Sequence, residues 1–193
     1  MIEKVSHWIA LFGEKVTENR EHLNTLDTAI GDGDHGSNLV RGAAAVKEKM
    51  EDSHYEELSK LFQDVGMTLV SKVGGASGPL YGSSFISMAK KAKETDDFAE
   101  ILAAGLDGIQ KRGKAEVGEK TMVDEWSPVV EHVKEGTLTQ EVIEDSLAET
   151  KDMKATKGRA SYLGDRSIGH IDPGAQSSAY LFETLLEAGV LDD

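Results

Sequence analysis

Apolar side chains recur at helical spacing along nearly the whole chain. Ile2, Val5 and Ile9 lie three and four positions apart, and four further segments show the same spacing. A period near 3.6 residues places such side chains along one face of a helix. No run of β-branched residues alternates with polar ones, and no Asn-Gly or Asp-Gly turn joins two such runs. The pattern predicts an all-α protein.

The spacing predicts about eight helices, each boundary being uncertain by roughly two to four residues. They cover residues 1–22, 36–51, 54–73, 79–94, 97–113, 120–135, 138–156 and 173–190. Most connections are short, which favours antiparallel neighbours packed as a bundle or a ring. The length of 193 residues suits one domain, and neither a repeat nor a linker divides it. We therefore predict a single helical domain, 1–193.

Charge and composition exclude several classes of function. The chain has 35 acidic and 21 basic residues, a formal net charge of -14, and no cysteine. Disulfides, cysteine-ligated metals and a thiol nucleophile are therefore excluded. A surface of this sign repels phosphate backbones, so we do not expect nucleic acid as a partner. An anionic ligand therefore needs metal ions, glycine-rich backbone or isolated Arg and Lys side chains to hold it. The alternative is that the acidity only keeps the protein soluble.

No targeting signal or membrane segment is expected. The N-terminal residues MIEKVSHWIALFGEKV carry charges within their apolar stretch and no small-residue cleavage site. Eighteen apolar residues never follow one another, so no membrane-spanning helix is predicted. The default expectation is a soluble cytoplasmic protein.

Three glycine-rich segments interrupt the helical pattern, at residues 27–37, 73–83 and 157–174. Helical bundles do not need glycine at this density for turns. Glycine allows backbone N–H groups to approach a ligand closely. Function is therefore expected in these three loops.

The first loop combines Asp27, Asp32 and Asp34 with the start of a helix at His35. Asp32 and Asp34 are two positions apart and converge in an extended chain. Carboxylate oxygens favour Mg²⁺ or Ca²⁺, and the spacing does not fit an EF-hand. Turn formation with one helix cap is the alternative. A helix N-terminus binds anions, and an anion beside carboxylates implies a bridging cation.

The second loop places Ser77 among three glycines, before Pro79 at a predicted helix start. Ser77 either caps that helix or binds phosphate, and a plain interhelical turn is also open. The segment is not a Walker A motif, because GK[ST] is absent and no strand precedes it.

The third loop contains Arg159 and Arg166, with Lys157 and His170 nearby. The arginines either pair with acidic surface residues or supply the positive charge that a phosphate needs. His170 has a surface or structural role, or a catalytic one. The Asp-Pro-Gly sequence at 172–174 is typical of a helix start.

These motifs together resemble the nucleotide-binding L subunits of dihydroxyacetone kinases. The resemblance rests on GDGDHG, GGASGP and GRASYLGDRSIGHIDPG, and on RGKAEVGEKTMVDEW at residues 112–126. It extends over essentially the whole chain, with the four motifs in order. It implies a closed barrel of eight antiparallel helices with the nucleotide site in the loops at one end.

The resemblance also implies roles for individual residues. Asp27, Asp32 and Asp34 would hold two Mg²⁺ ions, and Arg159 would be catalytic. The expected nucleotide-binding residues are His35, Gly36, Ser37, Asn38, Ala76, Ser77, Gly113, Met122, Arg159, Asp172, Pro173 and Gly174.

The chemistry implied by the resemblance needs other proteins. ADP stays bound as a cofactor, and a phosphohistidine protein of the M type, from the phosphoenolpyruvate-dependent phosphotransferase system, charges it to ATP. The phosphoryl group then passes to dihydroxyacetone on the K subunit. Two alternatives remain open, an ATP-exchanging subunit of another kinase, such as a fatty acid kinase, and a regulatory nucleotide-binding module. The sequence also leaves open whether the chain forms a homodimer.

Overall fold

The computed structural model describes residues 1–192, a range that contains helices and no strand. The α-helices are α1 (Ile2–Glu18), α2 (Arg20–Ile30), α3 (His35–Glu51), α4 (Leu58–Lys72), α5 (Ser77–Lys91), α6 (Phe98–Gly113), α7 (Val123–Glu135), α8 (Gln140–Glu149) and α9 (Pro173–Glu187). Short 3₁₀ segments lie between α8 and α9, at Thr150–Asp152 and at Arg159–Ser167, the latter interrupted by a kink at Gly164 (φ 57°, ψ -128°). The prediction of an all-α fold is confirmed. Within this range no helix is both long enough and apolar enough to cross a bilayer.

The helices form a closed ring around one hydrophobic core. Contacts pass in order from α1 to α3, α4, α5, α6 and α7, and both α7 and α8 contact α9. Helix α9 packs against α1, which closes the ring, while α2 packs against α3 and α9. At the closure, the buried indole of Trp8 donates a 2.7 Å hydrogen bond to the carbonyl of Leu181. Large buried side chains, including Trp126, Phe62 and Phe85, fill the interior.

Every second connection of this ring borders the same cleft. The connections are residues 31–34, 73–76, 114–122 and 150–172. They precede α3, α5, α7 and α9. The fold therefore gathers residues that are distant in sequence around a single opening.

The predicted helix 1–22 is wrong, because the chain leaves helical geometry at Asn19. Asn19 has φ -105° and ψ 18°, and its side-chain amide donates a 2.9 Å hydrogen bond to the carbonyl of Lys15. A separate helix, α2, then continues to Ile30, so Asp27 lies in a helix and not in a loop. Leu23 and Ile30 are both buried and lie two turns apart. That pair is the helical signal that the predicted boundary overlooked.

Helix α8 ends at Glu149, well before the predicted limit of residue 156. The chain continues as a short 3₁₀ segment, and the carbonyls of Thr150, Lys151 and Met153 accept hydrogen bonds from the side chain of Lys120. A distant lysine therefore replaces the backbone donors that a longer helix would supply. The predicted loop 157–174 likewise contains the 3₁₀ segment Arg159–Ser167.

Glu125 in α7 is a buried carboxyl group with no hydrogen-bond partner on either oxygen. Burial raises the pKa of Glu125 from 4.5 to about 9, and the charge of Glu183 adds to the effect. Between these values the folded protein retains a proton that the unfolded chain releases. The free energy of unfolding therefore falls as the pH rises through this window, by at most about 1.4 kcal/mol per pH unit.

We expect Glu125→Gln to raise the melting temperature at pH 8 and to flatten its decline between pH 5 and 9, because the amide has no proton to lose. Thermal melts of both proteins across this pH range measure the effect. Glu131→Gln, at an exposed position of the same helix, is the matched control and should leave the slope unchanged. Parallel pH profiles for wild type and Glu125→Gln would show that Glu125 does not retain its proton.

Candidate functional site

A cleft of about 540 Å³ lies among the four connections that precede α3, α5, α7 and α9. This volume is typical of sites for small ligands. Most of the residues that the sequence singled out line it, namely Asp27, Asp32, Asp34, His35, Asn38, Ala76, Ser77, Gly113, Met122, Arg159, Asp172, Pro173 and Gly174.

Asp27 fixes the acidic end of the cleft to the start of α3. Its Oδ2 accepts hydrogen bonds from the backbone N–H groups of Asp34, at 2.9 Å, and His35, at 3.0 Å. The carboxylate therefore satisfies two donors at the helix N-terminus from a neighbouring helix. A Cβ at position 31 would overlap Asp27 Oδ1, so this approach requires Gly31.

Asp32 and Arg159 meet across the mouth of the cleft, where Arg159 Nη1 donates to Asp32 Oδ1. The Arg159 side chain is 72% exposed and that of Asp32 is 37% exposed, so the pair contributes little to stability. The two roles that the sequence left open for Arg159 coincide, because it pairs with an acidic residue and also lines the cleft.

His35 lies behind this acidic end, with both ring nitrogens engaged. Nδ1 is 2.8 Å from Ser77 Oγ, and Nε2 is 2.9 Å from Ser177 Oγ. Burial lowers the pKa of His35 to about 4, although Asp27 and Asp34 act to raise it. The imidazole is therefore neutral near pH 7, and it holds the Ser77 hydroxyl at the cleft wall.

Two predicted binding residues, Gly36 and Ser37, do not line the cleft. The Ser37 hydroxyl accepts hydrogen bonds from Arg20, at 3.2 Å, and from Asn24, at 3.0 Å, both on α2. A Cβ at position 36 would overlap the carbonyl oxygen of Arg20. These residues pack α3 against α2, while their neighbours His35 and Asn38 face the cleft.

The start of α9 and Met122 form another wall of the cleft, and α9 also contacts His35 through Ser177. Asp172 caps α9, since its Oδ2 accepts a 2.8 Å hydrogen bond from the N–H of Ala175. Burial raises the pKa of Asp172 to about 7, and the Ala175 hydrogen bond and the charge of Lys120 oppose this shift. Met122 is buried, and a Cβ on Gly174 would stand 3.4 Å from its Cε. This wall of the cleft is partly apolar.

The cleft also contains basic residues that sequence reasoning did not select, namely Arg112, Lys120 and Lys157. Lys120 is the least expected, because its charged side chain is only 1% exposed. No periodicity or local spacing distinguishes it from other lysines. Conversely, Arg166 and His170 are exposed and lie outside the cleft.

Comparison with known proteins finds close relatives of this chain. The chain is 54% identical over 186 residues to the PTS-dependent dihydroxyacetone kinase, ADP-binding subunit DhaL, of Lactococcus lactis, covering 96% of this chain and 97% of the relative. It is 54% identical over 187 residues to the PEP-dependent dihydroxyacetone kinase 1, ADP-binding subunit DhaL, of Listeria innocua, covering 95% and 94%.

A solved structure of the dihydroxyacetone kinase from C. freundii, in complex with AMP-PNP and Mg²⁺, has the same fold with a TM-score of 0.77 and 26% identity. The match covers 94% of this chain and 33% of that longer one. The family model described as the DAK2 domain matches residues 29–187. The chain therefore belongs to the DAK2 domain family, together with the ADP-binding subunits of bacterial dihydroxyacetone kinases.

Proposed function

We propose that this chain is the nucleotide-holding subunit of a dihydroxyacetone kinase, which binds ADP with Mg²⁺ and delivers a phosphoryl group to dihydroxyacetone on a separate K subunit. The observation that carries the proposal is the convergence of four connections on one cleft, in a chain 54% identical to subunits named ADP-binding. The acidic residues suit the phosphates of a nucleotide with Mg²⁺, and the partly apolar wall at Met122 suits its base.

The acidic end fits Mg²⁺ by its donor chemistry. Asp27, Asp32 and Asp34 all line the cleft, and Mg²⁺ prefers carboxylate oxygens with phosphate oxygens and water completing its shell. Within residues 1–192, no three His, Cys, Asp or Glu side chains are arranged to hold a metal. Instead, the positive charge beside the Asp32 carboxylate is the guanidinium of Arg159. We propose that these three aspartates hold two Mg²⁺ ions together with the nucleotide, after Asp32 releases Arg159. The ions would neutralise phosphate charge.

The remaining cleft residues are assigned by their position. His35, Asn38, Ala76 and Ser77 line the side that continues from the acidic end and would contact phosphate and ribose. Gly113, Met122, Asp172, Pro173 and Gly174 also line the cleft and would hold the adenine. Gly36 and Ser37 would support this arrangement from behind α3.

Arg159 is the proposed catalytic residue. Phosphoryl transfer forms a bond between the acceptor oxygen and phosphorus and breaks the bond to the ADP leaving oxygen. During the transfer, negative charge on the equatorial oxygens of the phosphoryl group must be stabilised. The Arg159 guanidinium at the mouth of the cleft is placed to do so. The acceptor hydroxyl loses its proton to a base that we assign to the K subunit. The carboxylates of the cleft are already assigned to metal binding or helix capping.

The phosphoryl donor that we propose is an M-type phosphohistidine protein of the phosphotransferase system. The names of the two bacterial relatives, PTS-dependent and PEP-dependent, support this choice. Such a donor places the chain in the cytoplasm. A homodimer also remains a prediction, and sedimentation velocity of the purified chain tests it.

We expect the isolated chain to give no dihydroxyacetone phosphate from ATP, Mg²⁺ and dihydroxyacetone, because acceptor and base are supplied by another subunit. A coupled reductase assay with and without a purified K subunit measures the product. Turnover by the chain alone would contradict the proposal.

The same preparation separates the alternative functions. Acid release followed by mass spectrometry should yield ADP that survived purification. Rapid exchange of the nucleotide with solvent would favour an ATP-exchanging kinase subunit. A pull-down that recovers only a regulatory protein, with no transfer of phosphate, would favour a regulatory module.

A further inference from the structure

The connection between α6 and α7 holds Lys120 in an unusual backbone conformation. Lys120 has φ +62°, in the left-handed region that lysine rarely adopts. Asp124 stabilises the surrounding turn, accepting hydrogen bonds from the N–H of Gly118, at 2.6 Å, and of Thr121, at 2.9 Å. The strained residue is thus fixed by its neighbours, and its side chain is turned into the protein, where it is 1% exposed.

The ammonium group of Lys120 is surrounded by backbone carbonyl oxygens. Nζ donates to the carbonyls of Thr150, His170 and Met153, the last at 3.1 Å, and the carbonyl of Lys151 lies 3.4 Å away. An ammonium has three N–H groups, so this set uses all of them. Although Lys120 lines the cleft, no donor is left for a phosphate oxygen. It therefore differs from a phosphate-binding lysine.

The carbonyls come from both ends of the segment that carries Arg159. Thr150, Lys151 and Met153 precede it, and His170 follows it, two residues before Asp172. Two further hydrogen bonds join these ends, from Gly169 N–H to the Lys151 carbonyl, at 2.7 Å, and from Asp172 N–H to Thr150 Oγ1, at 3.2 Å. Converging carbonyl oxygens repel one another unless a cation lies between them. The ammonium stabilises this junction.

The junction also positions the cleft wall that contains Met122 and Asp172. Met122 follows Lys120 by two residues, and Asp172 follows His170 by two. Met122 and Gly174 lie next to each other in this wall, since a Cβ on Gly174 would stand 3.4 Å from Met122 Cε. Burial lowers the pKa of Lys120, and the nearby charges of Asp172, Asp152 and Asp124 oppose that shift.

We propose that Lys120 is a positioning residue, an internal cation that closes the 150–172 segment and holds the cleft wall at Met122 and Asp172, which we assign to the adenine, in its binding position without contacting the nucleotide. This inference rests on the proposed nucleotide site. It predicts that loss of the ammonium opens the junction even when no nucleotide is present.

The test compares Lys120→Met with Lys114→Met. Lys114 is an exposed lysine in the preceding turn that also has a positive φ, of 58°, so the control matches both chemistry and backbone. Amide hydrogen exchange of Gly169 and Asp172 is measured without ligand, and ADP affinity is measured by calorimetry with Mg²⁺. In Lys120→Met we expect both amides to exchange at least about tenfold faster, and the Kd for ADP to rise at least about tenfold, since charged hydrogen bonds are lost at a buried site. The control should match wild type.

A second pair of variants keeps the test decisive if Lys120→Met fails to fold. Lys120→Gln retains two N–H donors and should show intermediate amide protection. Lys120→Ala leaves room for a small cation, so ammonium or methylammonium chloride should restore protection. Tetramethylammonium chloride at equal ionic strength has no N–H group and should not.

Three results would overturn the proposal. The first is wild-type amide protection in Lys120→Met or Lys120→Gln. The second is weaker ADP binding with unchanged amide protection, which would make Lys120 a direct nucleotide ligand. The third is Lys120→Ala insensitive to ammonium. Failure of wild type to bind ADP would instead contradict the proposed function, and the exchange measurements without ligand would still report on Lys120.

Discussion

Removal of Mg²⁺ is expected to abolish ADP binding by this protein. Asp27, Asp32 and Asp34 line one end of the cleft, and together with ADP they bring about six negative charges into it. Two Mg²⁺ ions would reduce this to about two negative charges, which Arg159 and the N-terminus of α3 can offset. Without metal, each close pair of like charges costs about 1–4 kcal/mol, and a few such pairs outweigh the roughly 8 kcal/mol of a micromolar affinity.

Calorimetry of ADP binding in excess chelator measures this effect, and the melting temperature in the presence of ADP should fall in parallel. Asp32→Ala and Asp34→Ala should each weaken ADP retention at fixed Mg²⁺. Asp165→Ala is the control, since Asp165 is exposed, pairs with Lys154 and lies outside the cleft. An affinity within about tenfold of the Mg²⁺ value would mean that the aspartates are not metal ligands and that Asp27 acts only as the cap of α3.

Arg159→Ala is expected to slow phosphoryl transfer at least about 100-fold, comparable to the loss of other single electrostatic stabilisers. The Arg159 side chain is largely exposed and its pairing with Asp32 contributes little to stability. The melting temperature should therefore change little. Single-turnover transfer to dihydroxyacetone, in the presence of the K subunit, measures the rate.

Two substitutions serve as comparisons for Arg159→Ala. Arg166→Ala removes an exposed arginine that lies beyond the kink at Gly164 and outside the cleft. This variant should transfer phosphate at the wild-type rate. Arg159→Lys keeps the charge but loses the planar fork of donors, so its rate should be intermediate. Normal transfer by Arg159→Ala, combined with a lowered melting temperature, would assign Arg159 a structural role.

Local sequence determined the helical character of the chain. Apolar residues at a period near 3.6 indicated most of the helices, because burial of one face of each helix is what the fold requires. The Asp-Pro-Gly start of α9 follows from local capping chemistry, whereas α6 ends with Lys114, and not a glycine, in the left-handed conformation. The break at Asn19 escaped prediction, because apolar residues continue in helical register on both sides of it.

The loops that line the candidate site were also visible in the sequence, since glycine and aspartate accumulate there. What the sequence alone could not decide was which groups meet. Asp27 caps a helix to which it does not belong, and the two nitrogens of His35 are held by Ser77 and Ser177. These pairings depend on how helices pack, which no local pattern encodes.

Lys120 shows most clearly what could not be predicted from the sequence. Its sequence neighbours are those of an ordinary surface lysine, yet its ammonium is buried among carbonyls from segments 30 and 50 residues away. A buried charge is stable only where polar partners surround it. Here closure of the helical ring assembles those partners. The sequence by itself therefore determined the helices and the loops that carry the candidate chemistry, whereas the tertiary structure decided which charges are exposed, which are buried and which residues they contact.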